Sequence, residues 1–224
     1  MNNLIIINAG KFGREVFAWS QNCNEKFILK GFLDNRPNIL DDFNYNIKIL
    51  GNVDTYIPEE NDVFICAIGD ILLKRKLCNI MLAKNAKFIN IIHNSVILGE
   101  NVKLGNGIII CPNTVISSDV FIDDFVCINI SVCIGHDVEI KKYCQINPNS
   151  TLSGNCFIDE LSIIHGNCYL IPSISIGKNT TIGAGSVVLK NIEDNVTACG
   201  NPARVISRSL RKDAHDFSRG RNCA

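Results

Sequence analysis

Neither sign of charge predominates in this chain. Its 22 basic and 22 acidic side chains cancel, which removes the long-range field that draws proteins to nucleic acid or anionic lipid. No nucleic-acid partner is expected. Long apolar runs are also missing: the roughly 20 consecutive apolar residues that a membrane span needs occur nowhere. The opening Met1-Asn2-Asn3-Leu4 carries no basic segment and no cleavage site, so no secretory signal is read there and a cytoplasmic location is expected. Histidine is rare, with four in all. Cysteine is not rare, at 11, but it forms neither CxxC nor paired metal-type spacings. The set is read as reduced core thiols, with no metal site.

What the sequence does have is a period. Every sixth residue from 92 to 188 is aliphatic: Ile92, Leu98, Leu104, Ile110, Ile116, Ile122, Ile128, Ile134, Ile140, Ile146, Leu152, Ile158, Ile164, Leu170, Ile176, Ile182 and Val188. A second column sits two residues earlier and is small or β-branched, for example Thr114, Val120, Val126, Val132, Val138, Cys144, Ser150 and Cys156. The residue after each aliphatic is often a turn former, as at Gly99, Gly105, Asp123, Asn129, Gly135 and Asn147. A helix repeats near 3.6 residues and a half-buried strand at 2, so six fits neither alone. It fits a short strand plus a corner, three to a coil of eighteen residues. Coils stacked at about 4.8 Å make an all-β rod roughly 25 Å long. No single unit can bury its apolar side; stacking does so.

The first ninety residues follow another rule. Residues 4–8 (LIIIN) are a continuous apolar run of the kind a buried parallel strand needs. The turn Asn8-Ala9-Gly10-Lys11-Phe12-Gly13 leads into a helical pattern through Val16, Phe17 and Trp19. Further strands are expected over 27–33, 47–50, 63–68 and 88–92, and a helix over 71–84. This alternation predicts a small α/β domain with a Rossmann-like parallel sheet over 1–92, followed by the rod over 93–206 and a basic tail over 207–224. In such sheets ligands bind beyond the carboxyl ends of the strands, where Gly10, Gly13, Asp34, Gly69 and Asp70 fall. A nucleotide seated on helix N-terminal amides is one reading. A plain tight turn for strand–helix packing is the other.

Of the histidines within the period-six stretch only His136 has an acidic neighbour, Asp137. Residues eighteen apart stack, so Ser118, His136, Gly154, Pro172 and Lys190 should form one vertical file. A neutral imidazole there suits proton abstraction from an amine or hydroxyl. The Gly154 N–H, one coil on, is placed to meet an oxyanion.

Several stretches share a further likeness: Asn8-Ala9-Gly10-Lys11-Phe12-Gly13-Arg14-Glu15-Val16, Phe32-Leu33-Asp34-Asn35 and Ala67-Ile68-Gly69-Asp70 in the first domain. In the rod they are Ile134-Gly135-His136-Asp137, the segment from Ile146 to Asn155, and Gly200-Asn201-Pro202-Ala203. These resemble the sialic-acid O-acetyltransferase family of hexapeptide-repeat sugar acyltransferases. That family includes the nucleotide-4-amino-sugar N-acetyltransferases of lipopolysaccharide and O-antigen biosynthesis. The resemblance implies a left-handed parallel β-helix, acetyl-CoA as co-substrate and a homotrimer with sites between subunits. It implies that the first domain holds a nucleotide-linked amino sugar, through Asn8, Gly10, Lys11, Phe12, Gly13, Asp34, Asn35, Gly69 and Asp70. Asn129 would lie near the acceptor amine. His136 would be the general base beside Asp137, and the Gly154 amide would face the thioester carbonyl. Gln145, His165, Pro172, Ala184, Lys190 and Pro202 would line the CoA track; for His165 a solvated corner residue is the alternative. The family usually has glycine where Asn8 stands and histidine where Gln145 stands. N- and O-acetylation both remain open. A γ-carbonic-anhydrase-type metal site, which needs three histidines in register, and a non-catalytic nucleotide-binding scaffold are the rival readings.

Overall fold

A computed structural model describes residues 1–23 and 25–208. The expected basic tail lies outside the described residues from position 209 onward. The first domain is a parallel sheet of β1 (Asn2–Ile7), β2 (Phe27–Leu33), β3 (Ile49–Gly51), β4 (Asp62–Cys66) and β5 (Lys87–Phe88), in the order β3-β2-β1-β4-β5. Two helices accompany it, α1 (Lys11–Ser20) and α2 (Ile71–Ala83). The runs Leu4 to Ile7 and Val63 to Cys66 are fully or nearly fully buried, as a strand covered on both faces requires. Helix α2 starts where Asp70 accepts from the Leu72 and Leu73 N–H groups at 2.9 and 3.0 Å, a side-chain N-cap.

Residues 88–92, read as one strand, are divided. Phe88 belongs to the first sheet, while Ile91–Ile92 pairs with Ile109–Ile110 in the rod. The reason is Asn90. Its side-chain amide donates to Gly105 O and accepts from the Ile108 N–H, at 2.8 and 2.9 Å, so the rod begins just before the aliphatic period does.

The rod is a left-handed parallel β-helix with three faces. One face, here the docked face, carries Ile91–Ile92, Ile109–Ile110, Cys127–Ile128, Gln145–Ile146, Ile163–Ile164 and Thr181–Ile182. The open face carries Ile97–Leu98, Val115–Ile116, Cys133–Ile134, Thr151–Leu152, Tyr169–Leu170 and Val187–Val188. The charged face carries Lys103–Leu104, Phe121–Ile122, Glu139–Ile140, Phe157–Ile158 and Ser175–Ile176. Up to the last coil each strand pairs in register with the one eighteen residues on, as Val115 with Cys133 and Cys133 with Thr151. From Ile110 to Val188 the column residue of each strand points inward and is almost wholly buried. The small column fills the corners, where Thr114, Ser150 and Ser162 hydroxyls each donate to the carbonyl fifteen residues on, at 2.7–2.9 Å. A hairpin of Val196–Gly200 and Ala203–Arg208 closes the docked sheet.

The sharpest bend of each corner falls three residues after the buried aliphatic, not one. There the backbone is left-handed, at Asn101, Asn113, Asp119, Ser131, Asp137, Asn149, Asn155 and Asn167 among others. Asn and Asp tolerate that region. Phe125, Tyr143 and Leu161 do not favour it, yet hold φ of 61°, 60° and 60°. All three lie on the corner between the charged and docked faces. They are buried in one cluster with Phe64, Ile71, Cys78 and Met81 of the first domain. The Phe125 and Tyr143 rings stack at 4.9 Å, and buried Lys74 of α2 donates to Phe125 O at 2.6 Å. Burying three large side chains offsets the roughly 1–2 kcal/mol that each left-handed residue costs. Helix α1 and strand β1 share a second cluster with Ile109, Cys111 and Cys127 of the docked face. The first domain therefore covers the early docked face and the corner before it.

The cysteines divide. Cys66, Cys78, Cys111, Cys127, Cys144, Cys156 and Cys168 are buried, but Cys23 and Cys199 are half-buried and Cys133 is exposed on the open face. Reading all of them as core thiols was therefore too broad: the position before an inward aliphatic points out. The same alternation sets a test. In chemical denaturation Ile176→Ala should lose about 2–5 kcal/mol, and its outward neighbour Ser175→Ala no more than about 0.5 kcal/mol.

Candidate active site

His136 stands on the corner between the open and charged faces. Its Nδ1 lies 2.7 Å from Asp137 Oδ2. The two side chains are 61% and 55% exposed, so the imidazole is reachable. The backbone beneath is fixed: the Asp137 N–H donates to Ser118 O at 3.2 Å, and the Asn155 N–H to His136 O at 2.9 Å. Asp137 occupies the left-handed corner position, φ 57°, which turns its carboxylate back toward the ring.

Gly154, one coil on, is bare for a reason. A Cβ there would come within 2.6 Å of His136 Cε1 and Nε2, so the imidazole lies where a side chain would stand. Gly135 is equally constrained, since its Cβ would meet the Gly154 N at 2.5 Å. Among the described residues the Gly154 N–H donates to no protein acceptor. Pro172 and Lys190 continue the same file and are exposed. A depression of about 550 Å³, lined by Asn101, Lys103, Asp119 and Phe121, opens on this corner one coil before Asp137.

The other positions anticipated for CoA lie elsewhere. Gln145, His165 and Ala184 sit on or beside the corner between the docked and open faces. There Gln145 Nε2 donates to Asn147 Oδ1 at 2.9 Å, and Asn147 Nδ2 lies 3.4 Å from His165 Nδ1. Asn129 shares that corner, with its Oδ1 accepting the Ile130 N–H at 2.8 Å. Pro202 lies in the turn of the closing hairpin. The two sets thus flank the open face, whose outward residues include Ile97, 62% exposed, and the exposed Val115, Cys133 and Tyr169. His136 and His165 sit on different corners. Among the described residues no three His, Cys, Asp or Glu side chains cluster to hold a metal.

In the first domain the β1–α1 turn is built around Asn8, whose φ of 83° is left-handed. Asn8 takes up the glycine-like conformation and stitches the turn. Its Nδ2 donates to Ala67 O at 2.7 Å and its Oδ1 accepts the Gly10 N–H at 3.2 Å. At Gly13 a Cβ would lie 1.9 Å from Asn8 O, so helix and turn touch backbone to backbone. Gly10 caps α1 without a side-chain bond; Lys11 and Asn35 are exposed and Phe12 is half-buried. The surroundings of Gly69 are open, and the Asp70 carboxylate is engaged as the cap of α2. Asp34 accepts from the Ala9 N–H and from Arg36. Burial raises its pKa, but the bonds from Arg36 and Ala9 outweigh burial and hold the carboxyl below its ordinary value. Arg36 is a partner that the motif alone does not single out. The signal was a cation two positions after the acid that ends β2.

The fold is that of the hexapeptide-repeat β-helix class joined to a Rossmann-like domain. Residues 3–81 match the PglD N-terminal domain. The solved structure of PerB from Caulobacter crescentus, in complex with CoA and GDP-perosamine, is 27% identical, covers 92% of this chain and 97% of its own, and superposes with a TM-score of 0.82. The acetyltransferase domain of PglB from Neisseria gonorrhoeae, in complex with acetyl coenzyme A, shares the fold at 24% identity, with 92% and 100% coverage and a TM-score of 0.85. Galactoside O-acetyltransferase of Escherichia coli matches more locally, 48% identical over 46 residues, 20% of this chain. A putative acetyltransferase of Saccharomyces cerevisiae is 49% identical over 51 residues. The chain spans only 23% and 26% of the lengths of these two curated relatives. Over 92% of its length the chain is thus similar to nucleotide-sugar-bound PerB, and its first domain to the PglD N-terminal domain.

The tight contact at Gly154 makes a prediction. Gly154→Ala should push the imidazole aside and lower kcat/KM by on the order of 100-fold, with the thermal midpoint little changed because φ at Gly154 is not left-handed. Steady-state kinetics and a melting curve check it together.

Proposed function

We propose that this protein transfers the acetyl group of acetyl-CoA to the amine of a nucleotide-linked amino sugar, a 4-amino-4,6-dideoxy sugar of surface-glycan biosynthesis. The observation that carries this is the Asp137-bound imidazole lying over the bare Cα of Gly154 at the rim of an uncovered apolar face. Bonded to Asp137 through Nδ1–H, the ring presents Nε2 as the acceptor. Nε2 takes a proton from the acceptor amine as its nitrogen attacks the thioester carbonyl, forming the C–N bond. The carbonyl oxygen gains charge opposite the Gly154 N–H. Collapse breaks the C–S bond, and the CoA thiolate takes the proton from the imidazolium. No acyl-enzyme is needed.

Amine rather than hydroxyl as acceptor is supported by the likeness along nearly the whole chain to perosamine N-acetyltransferase of Caulobacter crescentus. O-acetylation of a sugar is the second reading, favoured by the local match to galactoside O-acetyltransferase. A thiol-release assay with UDP-, dTDP- and GDP-linked 4-amino sugars and free sialic acid separates them: release only with the nucleotide-linked amines supports the first, and release only with free sialic acid supports the second.

The site is completed by a second copy of the chain. His136, Gly154, Pro172 and Lys190 stand on one edge of the open face, and Gln145, His165 and Ala184 on or beside the other. A neighbouring subunit on that face would bring the two sets together, and repetition around a three-fold axis gives a homotrimer. A cytoplasmic location fits the exposed thiol of Cys133 and the substrates.

His136→Ala should lower kcat by on the order of 1,000-fold while acetyl-CoA still binds in calorimetry; near-normal turnover in that variant excludes His136 as the base. Val115→Asp should shift the protein from trimer to monomer in light scattering, since it places a charge on the uncovered apolar face.

A further inference from the structure

The acid at the end of β2 occupies the place where dinucleotide-binding folds hold a ribose hydroxyl. Here that carboxylate has no room for one. Asp34 Oδ1 accepts from Arg36 Nε at 2.9 Å and from the Arg36 N–H at 3.0 Å. Asp34 Oδ2 accepts from Arg36 Nη2 at 2.9 Å and from the Ala9 N–H at 2.9 Å. A carboxylate offers about four lone-pair sites, and all are taken. The Asp34 side chain is 5% exposed, whereas that of Arg36 is 61% exposed.

The exposed partner is the one with capacity left. A guanidinium has five N–H donors. Nε and Nη2 face Asp34, with Nη2 also 3.4 Å from Asn8 Oδ1, and among the described residues Nη1 meets no protein acceptor. The same Asn8 oxygen accepts the Gly10 N–H, so one side chain bridges the guanidinium and the N-terminus of α1. That terminus has no side-chain cap, whereas α2 is capped by Asp70. The N–H groups of Lys11, Phe12 and Gly13 precede the first intrahelical bond, from Arg14 to Gly10. A planar cation locked by a buried carboxylate beside uncapped helix amides is built for a phosphate-type anion.

We infer that Arg36 binds the diphosphate of the nucleotide-linked sugar, and that Asp34 is a positioning residue that aims the guanidinium and leaves the ribose alone. This rests on the nucleotide-sugar reading above. The test is calorimetry on the full chain with UDP, GDP and dTDP, the matching nucleosides and 2′-deoxy forms of the ribonucleotides. Arg36→Ala should weaken whichever diphosphate the unaltered protein binds by about tenfold or more, with Arg36→Lys in between and nucleoside affinity within about twofold. Asp34→Asn should weaken the diphosphate in the same way, and the preference between ribo and 2′-deoxy forms should stay as in the unaltered protein. With the nucleotide sugar as varied substrate, Arg36→Ala should raise KM more than it lowers kcat. Unchanged diphosphate affinity in Arg36→Ala, or loss of ribo-over-deoxy discrimination in Asp34→Asn, overturns the inference alone. If the unaltered protein binds none of the three diphosphates, the nucleotide-sugar reading falls and takes the inference with it.

Discussion

Everything in the rod depends on one repeated contact: an inward aliphatic resting on the aliphatic eighteen residues away, as Ile116 on Ile134 and Ile134 on Leu152. Each coil is only two-residue strands and corners, too little to hold a shape by itself. The column supplies the burial, and the parallel backbone bonds between coils set the register. Together they leave corner residues no freedom to slide. A side chain on one coil is therefore placed against the next coil with backbone precision, which is how the His136 ring comes to lie where a Gly154 Cβ would be. Preorganisation of this kind costs nothing at the moment of reaction.

The three faces have separate uses. The first domain takes the early docked face, and the cost of left-handed Phe125, Tyr143 and Leu161 is tolerated only on the corner it buries. The charged face carries Lys103, Glu139 and Lys141, with Lys141 beside the Phe121 and Phe157 rings, and is at ease in water. The open face keeps Ile97, Val115 and Tyr169 exposed. An apolar surface left bare between two polar corners is what the proposed shared site between subunits requires. In the first domain the β1–α1 turn and the loop after β2 are stitched by Asn8 and Asp34, so the Arg36 guanidinium is held by the fold itself.

Much of this was legible in the residues. The period of six named the core, and arithmetic in eighteens named the file from Ser118 to Lys190 without coordinates. The strand–helix alternation of the first domain was likewise plain, because apolar runs and glycine turns are local signals. What is set by partners far along the chain was not legible. The docking side depends on contacts between residues some fifty or more apart, such as Lys74 with Phe125. Its trace was visible only as a file, Phe125, Tyr143 and Leu161, that breaks the preference for Asn, Asp and Gly at corners. The bonds of Asp34 to Arg36 and the Ala9 N–H are a property of the folded loops alone. The split of residues 88–92 turned on the side-chain bonds of a single Asn90.

The central claim is that the stacked coils hold His136 and the Gly154 amide on either side of the reacting carbonyl. A crystal structure with CoA and a nucleotide-linked amino sugar tests it most directly. The account predicts the sugar amine within about 3 Å of His136 Nε2, the thiol end of the pantetheine arm beside the Gly154 N–H, and the arm running along the edge of the open face against a second subunit. A pantetheine arm bound away from that corner, or an imidazole turned from the amine in the ternary complex, would contradict it.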